Sequence, residues 1–126
     1  MDEKLKNFYQ LGAWKKSHKL ALMIYQETKS FPKEEKYGLV DQLKRAASSV
    51  SANIAEGFGR YHFLDKIKFY YQARGSLNEV QSFTILAKDL DYLTEKKAKE
   101  TWRFSKDCEK MINGLIRSAK KQFKKS

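Results

Sequence analysis

Apolar positions along the chain recur at steps of three and four, and no stretch alternates with the period of two that a half-buried strand requires. Four helical segments follow. Over 11–30, Trp14, His18, Ala21, Leu22, Tyr25 and Thr28 share one face. Phe31-Pro32 ends that helix, because the residue before proline is pushed out of the helical region. A short charged linker, Lys33-Glu34-Glu35-Lys36, leads to a second helix over about 37–58. Its stripe is Leu39, Leu43, Ala46, Val50 and Ile54, and Gly57 and Gly59 are expected to close it. The third helix spans about 63–90, with Ile67, Tyr70, Ala73, Leu77, Val80, Thr84 and Ala87 on its face. Asp91-Tyr92-Leu93-Thr94 is the next break. Thr94 reads as the N-cap of a fourth helix, with Lys97 where a capping box carries Glu or Gln. The stripe of that helix is Ala98, Trp102, Ser105, Cys108, Ile112, Leu115, Ala119 and Phe123. Connections this short make successive helices antiparallel. The expected fold is all-α, an up-down-up-down four-helix bundle in a single domain over 1–126.

The third helix carries more than one apolar stripe. Phe69, Ala73, Val80, Phe83 and Ala87 cover one arc, and Phe63, Ile67, Tyr70 and Tyr71 widen it past a half-turn. A bundle helix needs only about 100° of apolar surface, so the surplus points to self-association. In a hairpin turning near Tyr61, Gly75 falls level with the small run Ala46-Ala47-Ser48-Ser49. A close helix approach there would offset the roughly 1 kcal/mol that a mid-helix glycine costs. Arg45 and Glu79 fall level too, either paired across the hairpin or separately solvated. Arg74, beside Ile67 and Tyr70, is placed to snorkel. Asn53 and Glu56 read as capping or interface groups.

Charge changes the picture most. Of 126 residues, 26 are Lys or Arg against 15 Asp or Glu, for a net charge of +11. The excess rises towards the C-terminal end: from Arg117 to Ser126 there are five basic groups and no acid. Such a balance suits a polyanionic partner, RNA or DNA, or a membrane surface. Lysine dominates over arginine, which favours phosphate contacts over reading of base edges. Arg45, Arg60, Arg117, Lys120, Lys121, Lys124 and Lys125 are the candidate nucleic-acid contacts. The membrane surface is the weaker option, because no strongly amphipathic isolated helix stands out. No apolar run approaches a membrane span, and Met1-Asp2-Glu3-Lys4-Leu5 lacks the apolar core of a signal peptide. With the single cysteine, this points to the cytoplasm.

Chemistry finds little to build on. One cysteine, Cys108, and two histidines, His18 and His62, supply no metal-ligand spacing. The Arg-to-His spacing of small helical ribonucleases is absent from both histidines. Gly57-x-Gly59 has no preceding strand and lacks the rest of a phosphate-loop fingerprint. Cys108, on an apolar stripe, reads as a small core residue. Asp89/Asp91 and Asp107/Glu109 do not face one another on a helix. The expectation is a protein that is not an enzyme and carries no metal or cofactor.

The run Arg45-Ala46-Ala47-Ser48-Ser49-Val50-Ser51-Ala52-Asn53-Ile54-Ala55-Glu56-Gly57-Phe58-Gly59-Arg60 resembles the signature of proteins encoded in intervening sequences of bacterial 23S ribosomal RNA genes, often labelled S23 ribosomal protein. Phe8–Lys16, Phe31–Leu39 and Ala73-Arg74-Gly75-Ser76-Leu77-Asn78-Glu79 are similar to the same family. The resemblance covers about residues 8–93, and the last helix matches only in character. It marks Arg45, Asn53, Glu56, Gly57, Arg74, Gly75, Ser76 and Glu79 as structural motif positions. It implies a four-helix bundle assembling as a homopentamer, related to the accessory variability protein of diversity-generating retroelements. That relative is a basic pentameric barrel that binds nucleic acid and a reverse transcriptase. Ser51 stands where many members carry Pro, and Lys66 and Gln72 stand where apolar residues are common. Two functions emerge: a non-catalytic nucleic-acid-binding oligomer with little sequence preference, or an adaptor oligomer whose partner is another protein.

Overall fold

Hydrophobic burial on four helical stripes produces an antiparallel four-helix bundle. The computed structural model describes residues 5–126; the charged start, Met1–Lys4, lies outside the described residues. The helices are α1 (Gly12–Glu27), α2 (Leu39–Gly59), α3 (Phe63–Asp89) and α4 (Glu95–Lys125), with no strand among the described residues. Each packs chiefly on two neighbours, so the order around the bundle follows the chain. Phe31-Pro32 ends α1 after one 3-10 turn over Thr28–Ser30. The Thr94 hydroxyl caps α4 by accepting from the Lys97 N–H at 3.1 Å.

The expected stripes of α2 and α3 are buried throughout. Those of α1 and α4 need correction. The buried face of α1 is Ala13, Ser17, Leu20, Ala21, Ile24 and Thr28. Leu22 and Tyr25 are exposed, while Trp14 stacks on the exposed His18 at 4.7 Å. The helix carries two adjacent stripes of comparable apolar character. The one rich in small residues goes inward, where Ala13, Ser17 and Ala21 permit close approach. On α4 the buried set includes Thr101 and Ile116, whereas Trp102 and Phe123 remain exposed. The broad arc of α3 also has an internal explanation. Ile67, Tyr70, Ala73, Val80 and Ala87 are buried, and Phe83 packs against the core, because α3 faces both α2 and α4. Of that arc, Tyr71 is left exposed.

The α2–α3 hairpin is set by a glycine notch. Gly57 lies inside the last turn of α2, not beyond it, and neither Gly57 nor Gly59 takes the left-handed conformation of a helix-closing glycine. A methyl group on Gly57 would sit 2.7 Å from Tyr70 Cε1 and 3.1 Å from Phe69 Cβ. The missing side chain therefore admits the Tyr70 ring. Lys66 then closes α2: its ammonium donates to the Phe58 carbonyl at 2.7 Å, at the negative end of the helix dipole. Desolvation holds the Lys66 ammonium below the ordinary lysine range. Higher up, the Ser76 hydroxyl donates to Ser49 Oγ at 2.9 Å, and Asn53 Nδ2 donates to the Ser49 carbonyl at 2.9 Å. Ser49 and Ser76 thus take the contact expected of Gly75. Gly75 itself faces open space, with nothing within 4 Å of a built Cβ. The register lies close to the expected one, but one residue rotates a helix by about 100°, which turns Gly75 outward.

At the other end, Glu35 joins two loops. Its carboxylate accepts from the Leu39 N–H at 3.1 Å, capping α2, and from the Tyr92 hydroxyl at 2.8 Å. These hydrogen bonds, that of Leu39 foremost, hold the Glu35 carboxyl below its usual range. Asp91 adopts a left-handed φ of 62° to turn the chain out of α3.

The two glycines make opposite predictions. Gly57→Ala should cost a net ~1–2 kcal/mol, since overpacking against a buried ring outweighs the gain in helix propensity. Gly75→Ala should gain about 0.5–1 kcal/mol. Urea unfolding followed by circular dichroism measures both, and a Gly57→Ala protein as stable as the parent would discard the notch.

Candidate nucleic-acid interface

The helices differ in length, and that difference builds the site. At 1.5 Å per residue, the 16 residues of α1 span about 24 Å and the 31 residues of α4 about 46 Å. The start of α1 is level with the middle of α4, where a side chain on Gly12 would meet Met111 Cε at 2.7 Å. The last turns of α4 therefore run on beside the first turns of α3 without α1. From Arg117 onward only Ala119 is buried. Arg117, Lys120, Lys121, Lys124 and Lys125 all stand exposed on this extension. None of the five has a carboxylate within ion-pair distance among the described residues.

Arg60 reaches the same end. It is paired with Glu56 at 2.6 Å, and its guanidinium lies 4.6 Å from the centre of the Phe69 ring. Arg45 does not join the group. It lies fifteen residues back along α2, about 22 Å from Arg60, and pairs with Asp41 at 2.9 Å. The alternative pair of Arg45 with Glu79 is not formed. Arg74 does not snorkel: it donates to Asn113 Oδ1 on α4 at 2.9 Å and stacks 5.0 Å from the Tyr71 ring centre. Lys120 approaches the same ring at 5.4 Å. The exposed tyrosine of α3 is thus covered by cations from two helices.

Sequence reasoning passed over the turn itself. Tyr61, His62, Phe63 and Leu64 line a cleft of about 500 Å³ with Phe123 and Ser126 of α4. Tyr61 is 88% exposed, Leu64 58% and Phe123 46%. The available signal was a run of large rings and an apolar residue directly after a helix end, where polar turn residues are usual. The α3–α4 seam above the basic end is polar. Gln81 Nε2 donates to Ser105 Oγ at 3.2 Å and to Glu109 Oε1 at 3.1 Å. That donation, followed by Lys106, keeps the Glu109 carboxyl below its usual range.

Two other perturbed groups bear on chemistry. Burial pushes the Cys108 thiol up to about 11, so its nucleophilic thiolate is scarce at neutral pH. Ser17, beside it, has no oxygen or nitrogen partner for its hydroxyl. Glu27 accepts a short hydrogen bond from Thr101, but its second oxygen is buried without a partner, and burial raises its pKa. Among the described residues no group of three or more His, Cys, Asp or Glu is placed to hold a metal ion. No helix among them is long and apolar enough to cross a membrane.

The fold and this end define a small basic helical bundle with an exposed cationic extension. The model of the 23S rRNA-intervening sequence protein family matches residues 9–114, and the chain belongs to that family. It is similar to the crystal structure of a protein of unknown function of the S23 ribosomal protein family from Bacteroides thetaiotaomicron. The TM-score is 0.74 at 21% identity, over 82% of this chain and 97% of that one. That likeness shows the shared fold. No curated protein matches the chain.

Glu27 gives a prediction with a definite sign. A carboxyl whose folded pKa is raised binds its proton more tightly in the folded state. Its stabilising contribution is present below the unfolded value and is lost as pH rises through the folded one. Glu27→Gln should therefore raise the urea midpoint at pH 7, and the advantage should vanish below the ordinary value of 4.5. A pH-independent difference would assign the effect to packing instead.

Proposed function

We propose that the protein is a non-catalytic, self-associating helical bundle that binds RNA or DNA through the phosphate backbone with little sequence preference. The observation that carries this reading is the α4 extension, where five exposed cations project from a stretch of helix, 117–125, that itself holds no acidic residue. A rigid row of lysines raises the local potential and meets phosphates without ordering a loop. Lysine supplies charge without the planar fork that reads bases.

Self-association rests on apolar surface outside the bundle core. Ile85 and Leu86 of α3, Leu90 at its C-terminal cap and Trp102 of α4 are exposed. Ile85 and Trp102 share a cleft of about 370 Å³ with Thr84, Lys88, Ala98, Lys99 and Arg103. Repeating the cationic end around a closed ring multiplies modest contacts into avidity. The pentameric count comes from the resemblance set out above. Light scattering behind size exclusion should give about five times 14.8 kDa. A monomer at micromolar concentration would remove the ring and its avidity from the proposal.

The second reading, an adaptor for another protein, is favoured by the same Ile85–Trp102 cleft. Salt dependence separates the two. Replacing Lys120, Lys121, Lys124 and Lys125 with Gln should weaken nucleic-acid binding and flatten its log–log salt slope. The change should approach 0.9 per lost phosphate contact on duplex DNA and about 0.7 on single strands. The fold should persist, because all four side chains are exposed. An unchanged affinity and slope would reject the α4 extension as the contact surface, and a parent that binds nothing at low salt would leave the adaptor.

A further inference from the structure

The cleft at the basic end has features that phosphate contacts do not use. Tyr61 projects from the short turn between α2 and α3, its ring edge-on to His62 at 5.0 Å and 89°. Phe123, directly before Lys124-Lys125, lines the same cleft from α4, together with Phe63 and Leu64. Nearby rings at this end are occupied: Phe69 lies under Arg60, and Tyr71 lies between Arg74 and Lys120. Tyr61 and Phe123 lack such a covering cation among the described residues. Exposed flat rings beside a row of unpaired cations make a surface with two complementary requirements, a π-face and a phosphate next to it.

We infer that this cleft is a stacking site for an unpaired base, so that the protein prefers single-stranded nucleic acid over duplex. The inference rests on the nucleic-acid binding proposed above and names its substrate class. A flexible single strand can turn one base into the cleft between Tyr61 and Phe123 while its flanking phosphates lie along Lys120, Lys121, Lys124 and Lys125. In a continuous duplex every base face is already stacked, so only the phosphate contacts remain. Stacking of this kind tolerates any base, in keeping with weak sequence preference.

The test compares Tyr61→Ala, and separately Phe123→Ala, with the parent by fluorescence anisotropy. The probes are a mixed-sequence RNA single strand and a duplex of the same length, at two salt concentrations. The parent should bind the single strand more tightly. Tyr61→Ala should weaken that binding roughly 5- to 150-fold, the worth of one base–aromatic stack. Duplex affinity and both salt slopes should stay unchanged. A strand carrying 2-aminopurine should show stacking-induced quenching with the parent and less with Tyr61→Ala. Tyr61 is almost wholly exposed, so the variant keeps its fold, and circular dichroism checks this. Equal losses on both probes, or no loss on either, would overturn the stacking site while leaving phosphate binding in place. A parent that binds neither probe at low salt would overturn the nucleic-acid reading itself.

Discussion

The Tyr70 ring lying where residue 57 has no side chain is the contact on which the α2–α3 turn and the basic end beside it depend. It brings the end of α2 against α3 and sets the start of the hairpin. With Gly57 carrying only hydrogen, Tyr70 is buried and Phe69 lies close enough for Arg60 to rest on its ring. The same approach brings Lys66 to the open carbonyls of α2. Lys66 thereby adds a side-chain donor at the end of α2, where the Arg60 N–H already donates to the Gly57 carbonyl. Tyr61 and His62, held in the turn between two well-fixed helices, project because nothing remains for them to pack against.

Polar seams complement the apolar core. Ser49, Asn53 and Ser76 join α2 to α3; Gln81, Ser105 and Glu109, with Arg74 and Asn113, join α3 to α4; Glu27 and Thr101 join α1 to α4. Apolar stripes alone tolerate rotation and sliding. Hydrogen bonds between named partners do not, because a displaced buried donor or acceptor is left unpaired. The seams therefore select one register among several of similar apolar burial. Glu27 is the imperfect member, since one of its oxygens has no donor.

The charge of the protein is organised by the same architecture. Several cations elsewhere in the bundle sit beside carboxylates, as in Arg45 with Asp41, Lys106 with Glu109, and Lys16 with Asp107. The α4 extension holds no such pair, and of its cations only Lys120 approaches a ring, that of Tyr71. Its lysines have no acid in reach, and α4 outruns α1 by about 22 Å, so they stand clear of the neighbouring helix.

Local sequence pattern established the helical class, the four segments, the stop at Phe31-Pro32, the cap at Thr94 and the core faces of α2 and α3. Each is a local property: a repeat of 3.6, a fixed proline φ or a hydroxyl three residues before an open N–H. Composition likewise located the cationic run after Arg117. Tertiary structure decided what local pattern leaves degenerate. Two adjacent stripes on α1 both satisfy the helical repeat, and only contact with α2 and α4 turned Ser17 and Ile24 inward and left Leu22 and Tyr25 outside. The sequence reads Gly57 as a helix end and Gly75 as the site of close approach, but it is Gly57 that receives a ring while Gly75 faces open space, because the rotation of each helix in the hairpin is set by its packing. Arg45 and Arg60 belong to one motif, yet they lie about 22 Å apart along α2 and pair with different carboxylates, Asp41 and Glu56. The grouping of Tyr61 with Phe123 joins residues 62 positions apart, and no local pattern could bring them together.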